Sequence, residues 1–550
     1  MIKKGIPASS GYAMGHVYIK REIKITVTDK TVDDPAEEKA KLNQATEKAK
    51  EQINVLKHKT AFSMGEDEAM VFDAHLMILE DPEFIGAVDF EIENTGINAM
   101  KALELVTSRY ISIFNSMENE YMRERSSDIN DISARIMRNL AGVNQQTELY
   151  GHGTIIAARD LSPSDTASLD TSKVIGFVTE TGGKTSHSAI MARTLDIPAV
   201  VGVANVLSAL KPDDFVIVDG NTGEILINPE ESVIREYSVK MAEFQNQKTE
   251  LAGLKTTRAE TLDGKRIEVM GNIGKVGDVD AIIEKGGDGI GLFRTEFLFM
   301  DRLSLPGETE QADAYKIVLQ KMAGKPVIIR TMDIGGDKRL PYLYLPDEVN
   351  PFMGYRAIRI CLDRPELFKT QLRALLRASV HGNLKVMFPM ISSLGEYQAA
   401  MKLVKECMAE LDREGIPYQR DIKWGIMIEV PAAAIIADEL AKACDFFSIG
   451  TNDLIQYSMA ADRMSEKVSY LYDPLHPAVL KLIRMTIEAA HAGGIPCGMC
   501  GEMAGDVAMI PILLRMGLDA FSMSASSILP AKKKILESWS DLHPAEQPEE

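Results

Sequence analysis

A chain of 550 residues, 45% hydrophobic and 26% charged, has the composition of an ordinary globular protein and the length of about two to four domains. Its 80 acidic residues against 61 basic ones leave a net charge of −19, which argues against nucleic acid or an anionic membrane as the main partner. No apolar run approaches the ~18 residues of a membrane span, the start Met1-Ile-Lys-Lys-Gly5 lacks the apolar stretch of a secretory signal, and five cysteines make no disulfide framework, so a reduced, cytoplasmic protein is expected.

Residues 1–20 set Gly5, Gly11 and Gly15 between short apolar stretches, which reads as an opening strand and turn. From Asp33 to about Leu140 Pro and Gly become rare and helix formers dominate. Asp33-Asp34-Pro35-Ala-Glu37-Glu38 carries a cap, a proline near the first helical position and acids in the first turn, and breaks follow near Gly65, Asp81-Pro82 and Gly96. This pattern predicts a helical bundle, 33–140, inserted into an α/β domain made of 1–32 and 141–228. Within the bundle, residues 61–100 hold ten acids, among them Glu66, Asp67 and Glu68, and no Lys or Arg. With Phe62, Met64, Met70, Phe72 and Met77 interleaved, the stretch is either a solvated acidic face over a core or an adaptable contact surface for a basic partner.

Strands are predicted over 154–158, 174–178, 199–201 and 215–219, with Gly220-Asn-Thr-Gly223 as a hairpin turn. Gly182 and Gly183 break the second of these, and Ala189-Ile-Met-Ala-Arg-Thr-Leu195 resumes at helical spacing. His187 falls at that helix's N-terminus, where unpaired N–H groups and the helix dipole disfavour an imidazolium and suit an imidazole carrying an anionic group such as phosphate. Taken alone, a capping or packed histidine is the plainer reading. Residues 229–260 are charged and helical in propensity, and read as a linker helix rather than part of a core.

From 265 the pattern becomes strand–helix alternation, with the domain taken as 261–550. Eight strands are predicted, over 267–271, 289–293, 327–330, 384–388, 424–429, 446–449, 495–499 and 520–523, which fits a (β/α)₈ barrel better than an open sheet. Polar residues gather at the strand ends: Arg294-Thr-Glu296, Arg330-Thr-Met-Asp333, Glu429, Asn452-Asp453 and Cys500-Gly-Glu502. In a barrel these ends meet on one face. Arg294, Arg330 and Arg463 have the forked geometry to hold a phosphate, and Glu429 and Asp453 are hard oxygen ligands suited to Mg²⁺. Cys497-Gly-Met-Cys500 has no second Cys/His pair to complete a zinc site and lies in a strand, not at a helix start, which disfavours metal or redox use.

Gly-Gly-Lys184-Thr-Ser-His187-Ser-Ala-Ile-Met-Ala-Arg193, Asp333-Ile-Gly-Gly-Asp337-Lys338, Gly450-Thr-Asn-Asp-Leu454 and Cys500-Gly-Glu-Met-Ala-Gly-Asp506 together resemble the signatures of Enzyme I, the phosphoenolpyruvate–protein phosphotransferase family of the bacterial sugar phosphotransferase system. The resemblance runs along essentially the whole chain in domain order. It implies that His187 is phosphorylated and that Arg294, Arg330, Asn452 and Arg463 hold the phosphate of phosphoenolpyruvate (PEP), with Lys338 and Arg356 assisting. It further implies Mg²⁺ on Glu429 and Asp453, protonation of the pyruvate enolate by Cys500, docking of the carrier protein HPr on the acidic helical insert, and a homodimer through the barrel. The same motifs resemble the PEP-dependent dikinases, which carry a nucleotide-binding domain for which this sequence shows no Gly-rich loop. A PEP- or pyruvate-binding regulatory protein on the same scaffold is the alternative from another class, disfavoured by the intact His187 and the full set of rim residues.

Overall fold

A computed structural model describes the chain except residues 21–24, 29, 30, 33, 64, 65, 117–119, 144–150, 171, 184, 185, 301, 336, 337, 339, 341, 464, 466 and 541–550, and except the side chains of 62–68 and 120–125. Asp33, Met64, Gly65, Lys184 and Asp337, and the side chains of Phe62, Glu66, Asp67 and Glu68, therefore lie outside the described residues. Two compact units are present, Met1–Asn246 and Gln247–Glu550.

In the first unit, helices Pro35–Ser63, Glu66–Glu80, Pro82–Thr95, Ala99–Asn115 and Glu120–Leu140 form a bundle. Their ends follow the local chemistry. Asp34 Oδ1 accepts from the Ala36 N–H at 2.9 Å, Asp81 caps the third helix ahead of Pro82, and Gly96 ends it in the left-handed region before Asn98 caps the next. Phe72, Phe84, Val88, Ile92 and Leu103 are buried in the bundle, whereas Met70 and Met77 are 63% and 72% exposed. The alternating acidic and apolar stretch thus divides: Phe72 is core, and the two methionines are surface.

The rest of this unit is an eight-stranded sheet, built from β1 (Ile2–Lys4), β2 (Ile6–Ser9), β3 (Tyr12–Ile19), β4 (Thr154–Ala158), β5 (Val174–Thr179), β6 (Ala199–Val201), β7 (Phe215–Asp219) and β8 (Glu224–Ile227). The order is β1-β8-β7-β3-β4-β5-β6-β2, with β3 to β6 running parallel. Residues before the bundle and residues after it are therefore hydrogen-bonded in one sheet. Apolar side chains bury on both faces: Val17, Ile155 and Val178 lie on one side, Ile156, Phe177 and Ala189 on the other.

Helix Glu231–Gly253 contains the boundary between the units. The expectation that 229–260 stays outside any core needs correction. Tyr237 is buried with Ile217 and Leu226 and donates its hydroxyl to Asp219 Oδ2 at 3.4 Å, while Tyr12 meets both Tyr237 and Phe244 edge-on. The single aromatic residues looked isolated in sequence because their partners lie on strands far along the chain.

The second unit is a closed barrel of eight parallel strands, β9 (Glu268–Ile273), β10 (Ile290–Phe293), β11 (Pro326–Arg330), β12 (Asn383–Phe388), β13 (Lys423–Ile428), β14 (Phe447–Ile449), β15 (Cys497–Met499) and β16 (Ala520–Met523), the last pairing back to β9. All eight predicted strands are present, with ends displaced by a residue or two. β15 starts at Cys497 because Pro496 has no N–H and the Ile495 N–H is still bonded to Ala490 of the preceding helix. β13 ends at Ile428, which leaves Glu429 just beyond the strand on the rim. Among the described residues no helix is long and apolar enough to cross a membrane.

Candidate active site

The chemistry-bearing residues lie in two places, one in each unit. In the first, β5 ends at Thr179 and the chain turns through Gly182 at φ +107, a conformation that L side chains rarely adopt. Ser186 then takes an extended conformation (φ −60, ψ 151) and its Oγ accepts from the Ala189 N–H at 3.4 Å, opening helix His187–Thr194. Because Ser186 supplies the cap, His187 occupies the first helical position, half-buried, with no cap bond of its own to make. At the other end of the helix, Arg193 donates to the Ala8 carbonyl at 3.1 Å and fixes the helix on the sheet.

The second place is the C-terminal rim of the barrel, where each functional side chain follows a strand. Arg330 ends β11 and is 7% exposed. Its Nη2 donates to Glu296 Oε1 at 2.5 Å and its Nη1 pairs with Asp333 Oδ2 at 2.9 Å. Arg356 shares the same acid: Nε and Nη2 reach Asp333 at 2.9–3.2 Å, Nη2 also reaches Asp453 Oδ2 at 3.1 Å, and Nη1 reaches the Tyr457 hydroxyl at 2.9 Å. Gly335, at φ +107, lets the β11 loop pass against Arg356, where an added Cβ would come within 2.6 Å of the arginine's own. Lys338 Nζ lies 3.7 Å from Glu296 and 3.4 Å from the Asp333 carbonyl.

Asp453 and Asn452 open helix Thr451–Met459 after β14. Asn452 exchanges two hydrogen bonds with Glu502, its Nδ2 donating to Oε1 at 3.1 Å and its Oδ1 accepting from the Glu502 N–H at 3.0 Å. Arg463 Nη1 approaches the same carboxylate at 4.0 Å. Arg294, just beyond β10, has an exposed side chain whose charge acts on Cys500. The rim thus joins Arg330, Arg356, Lys338 and Asp453 through shared acids, and Asn452 with Arg463 through Glu502. His187 belongs to the other unit.

Charge in this rim is unevenly balanced. Burial works to raise the Asp333 carboxyl, but Arg330, Arg356 and Lys338 overcome it and hold it well below the usual carboxylate range. Glu429 goes the other way: burial, then Asp453 and Asp333, push it up to about 8 against the weaker pull of Arg330 and Arg356. Among the described residues one of its oxygens accepts a backbone hydrogen bond, from Met390 at 2.6 Å. Burial also pushes the Cys500 thiol up, partly offset by Ser448 and Arg330, so it is a thiol at neutral pH. Glu296 Oε2, Arg330 Nε and the hydroxyls of Thr331 and Thr451 are buried with no hydrogen-bond partner among the described residues. A rim with clustered cations, orphaned polar atoms and a carboxyl kept protonated by burial has the chemistry to receive an anionic ligand together with a cation.

The donor set suits Mg²⁺. Glu429 and Asp453 offer hard carboxylate oxygens, and Mg²⁺ commonly takes only one or two of these, filling its sphere with water and substrate oxygens. Among the described residues no three His, Cys, Asp or Glu side chains converge, so substrate oxygens would be needed to complete a site. Cys497 and Cys500 are both free and buried. Glu296, Asp333, Tyr457 and Glu502 also take part in the rim, beyond the residues the sequence singles out. The first two stood beside arginines in the sequence, which was a usable signal; Tyr457 had none.

This fold and rim define the class of PEP-utilising enzymes, whose family models match along the chain: the N-terminal domain over residues 4–125, the mobile domain over 150–223 and the PEP-binding domain over 248–539. The phosphoenolpyruvate-protein phosphotransferase of Staphylococcus carnosus is 51% identical over 97% of this chain and 93% of its own, and that of Bacillus subtilis is 50% identical over 97% and 94%. The chain belongs to the phosphoenolpyruvate-protein phosphotransferase family and is an enzyme. It is also similar to the NMR solution structure of an Enzyme I protein, 39% identical over 44% of this chain and 99% of that one, with a TM-score of 0.39.

Proposed function

We propose that the enzyme transfers the phosphoryl group of PEP to its own His187 and then to a histidine of the carrier protein HPr, releasing pyruvate, as the first step of sugar uptake by a phosphotransferase system. The observation that carries this reading is the rim: forked cations around two hard carboxylates, with a protonated thiol beside them. Arg294, Arg330, Lys338, Arg356, Asn452 and Arg463 bind and orient PEP. Glu429 and Asp453 would hold Mg²⁺, which when bound would supply positive charge to the substrate oxygens. The His187 imidazole attacks phosphorus, an N–P bond forms as the enol O–P bond breaks, and the chain's arginines stabilise charge on the phosphoryl oxygens. Cys500 Sγ gives its proton to the methylene carbon of the departing enolate, yielding pyruvate, and regains a proton from solvent.

In this reading residues 1–32 and 141–228 form the phosphohistidine domain, 33–140 the carrier-docking insert, 229–260 the linker and 261–550 the PEP-binding barrel. Exposed Met70 and Met77 among the acids of 61–100 support docking of a basic carrier surface. The enzyme works in the cytoplasm as a homodimer joined through its barrel. The test is incubation with PEP, Mg²⁺ and purified HPr, with ATP as control donor. Stoichiometric pyruvate and phospho-HPr are expected from PEP alone, and none from His187→Ala; transfer from ATP, or transfer by His187→Ala, would overturn the proposal.

A further inference from the structure

Helix Thr451–Met459 delivers Asn452 and Asp453 to the rim in its first turn, and one turn later it presents Tyr457. The Tyr457 hydroxyl is a junction. It accepts from Arg356 Nη1 at 2.9 Å, donates to the Phe352 carbonyl, and lies 3.9 Å from Met390 Sδ. Phe352 belongs to the single turn Pro351–Met353, just ahead of Arg356, and its ring lies 5.8 Å from the Arg356 guanidinium carbon. Met390 follows β12 and donates its N–H to Glu429. One phenol therefore ties the β11 loop, the β12 loop and the β14 helix together around one guanidinium.

Each Arg356 nitrogen has a fixed task. Nε and Nη2 lie on Asp333, Nη2 also on Asp453, and Nη1 on Tyr457, in a site where the arginine is only 6% exposed. Asp333 alone would accept the guanidinium in several rotations about its long stem. The Tyr457 contact on Nη1 adds to the Asp453 contact on Nη2 in holding the guanidinium plane across both acids. Burial pushes the phenol up to about 12, so it remains a hydroxyl able to donate to Phe352 while accepting from Arg356.

We propose that Tyr457 is a positioning residue for the PEP step, orienting Arg356 across Asp333 and Asp453 for contact with the substrate anion. This rests on the reading of Arg356 as a PEP ligand. Tyr457→Phe keeps the ring and removes both hydrogen bonds. Losing the partner of a buried charged donor is worth roughly a tenfold effect or more. In the full-length enzyme with HPr and Mg²⁺, KM for PEP should rise about tenfold while kcat stays within about twofold. In an Arg356→Ala background, where KM is already raised, adding Tyr457→Phe should change KM by less than about twofold, because the group it orients is gone.

A purely structural role would lower the melting temperature and the active fraction, and so kcat at unchanged KM; that result would overturn the proposal. So would a wild-type KM in Tyr457→Phe, or an equal rise in KM in both backgrounds. If Arg356→Ala alone leaves KM unchanged while wild type still turns over PEP, Arg356 is not a PEP ligand, and the positioning role falls with it. If wild type does not use PEP at all, the functional reading itself fails.

Discussion

Arg330 is a buried cation on the barrel rim, 7% exposed, and replacing it with Met isolates one effect. Methionine fills much of the same space, so the main change is the loss of charge. Asp333 keeps Arg356 at 2.9 Å, but Glu296, with a side chain 6% exposed, is left among the described residues with Lys338 at 3.7 Å. Removing one partner of a buried ion pair costs about 3–5 kcal/mol, most of it from the stranded charge. At about 2–4 °C per kcal/mol for a large domain, the barrel's melting temperature should fall by roughly 6–20 °C. Both tryptophans of the chain, Trp424 and Trp539, lie in the second unit, so tryptophan fluorescence on heating the full-length protein reads that unit alone. Adding Glu296→Leu to Arg330→Met removes the stranded acid and should recover more than half of the loss, since buried pairs replaced by apolar groups are often neutral in stability. If Arg330→Met melts within about 2 °C of wild type, or the double variant melts no higher than the single one, then the pair is not an interdependent buried ion pair.

The raised Glu429 carboxyl, at about 8 against an ordinary 4.5, holds a proton that the unfolded chain has lost between those values, so its stabilising contribution is complete below 4.5 and is lost as pH rises through 8. In chelator, the melting temperature of wild type relative to Glu429→Gln should therefore fall between about pH 5 and about pH 8.5, and parallel pH profiles would contradict this. Cys500→Ser keeps a hydroxyl of similar shape but far higher pKa, so phosphoryl transfer should continue while pyruvate release slows or loses stereocontrol of protonation; Cys497→Ser should change little. Wild-type turnover and stereochemistry in Cys500→Ser would assign the proton to another donor. Reversing Glu66, Asp67 and Glu68 to Lys should raise KM for HPr without touching self-phosphorylation, and wild-type carrier transfer should weaken with salt. Carrier transfer left intact by the reversals at low and high salt would make the stretch a solvated face.

The barrel was legible because its strands are short β-branched runs set off by Gly, Pro and helical periodicity, and because polar residues recur just after them. Glu429 and Asn452-Asp453 stood out for that reason. Which acid holds which base was not legible. Asp333 serving Arg330 and Arg356 together, or Glu502 linking Asn452 to Arg463, depends on contacts between separate strand ends, and no local period encodes them. Tyr457 has no local signal, because its partners Arg356 and Phe352 lie far back along the chain. Tyr237 was lost in a charged helix for the same reason, its partners being Tyr12 and Asp219. Met70 and Phe72 illustrate a finer limit, since two residues apart on one helix they face solvent and core, and the acidic stretch alone does not say which.

In the proposed reaction His187 receives the phosphoryl group of PEP. Full-length enzyme incubated with radiolabelled PEP and Mg²⁺, then digested under alkaline conditions and mapped for acid-labile phosphopeptides, tests it without a carrier or a coupled assay. The label should sit on the peptide containing His187 and be absent from His187→Ala, whose tryptophan-reported barrel transition should match wild type. Label on His381 or His476, or undiminished labelling of His187→Ala, would contradict the account.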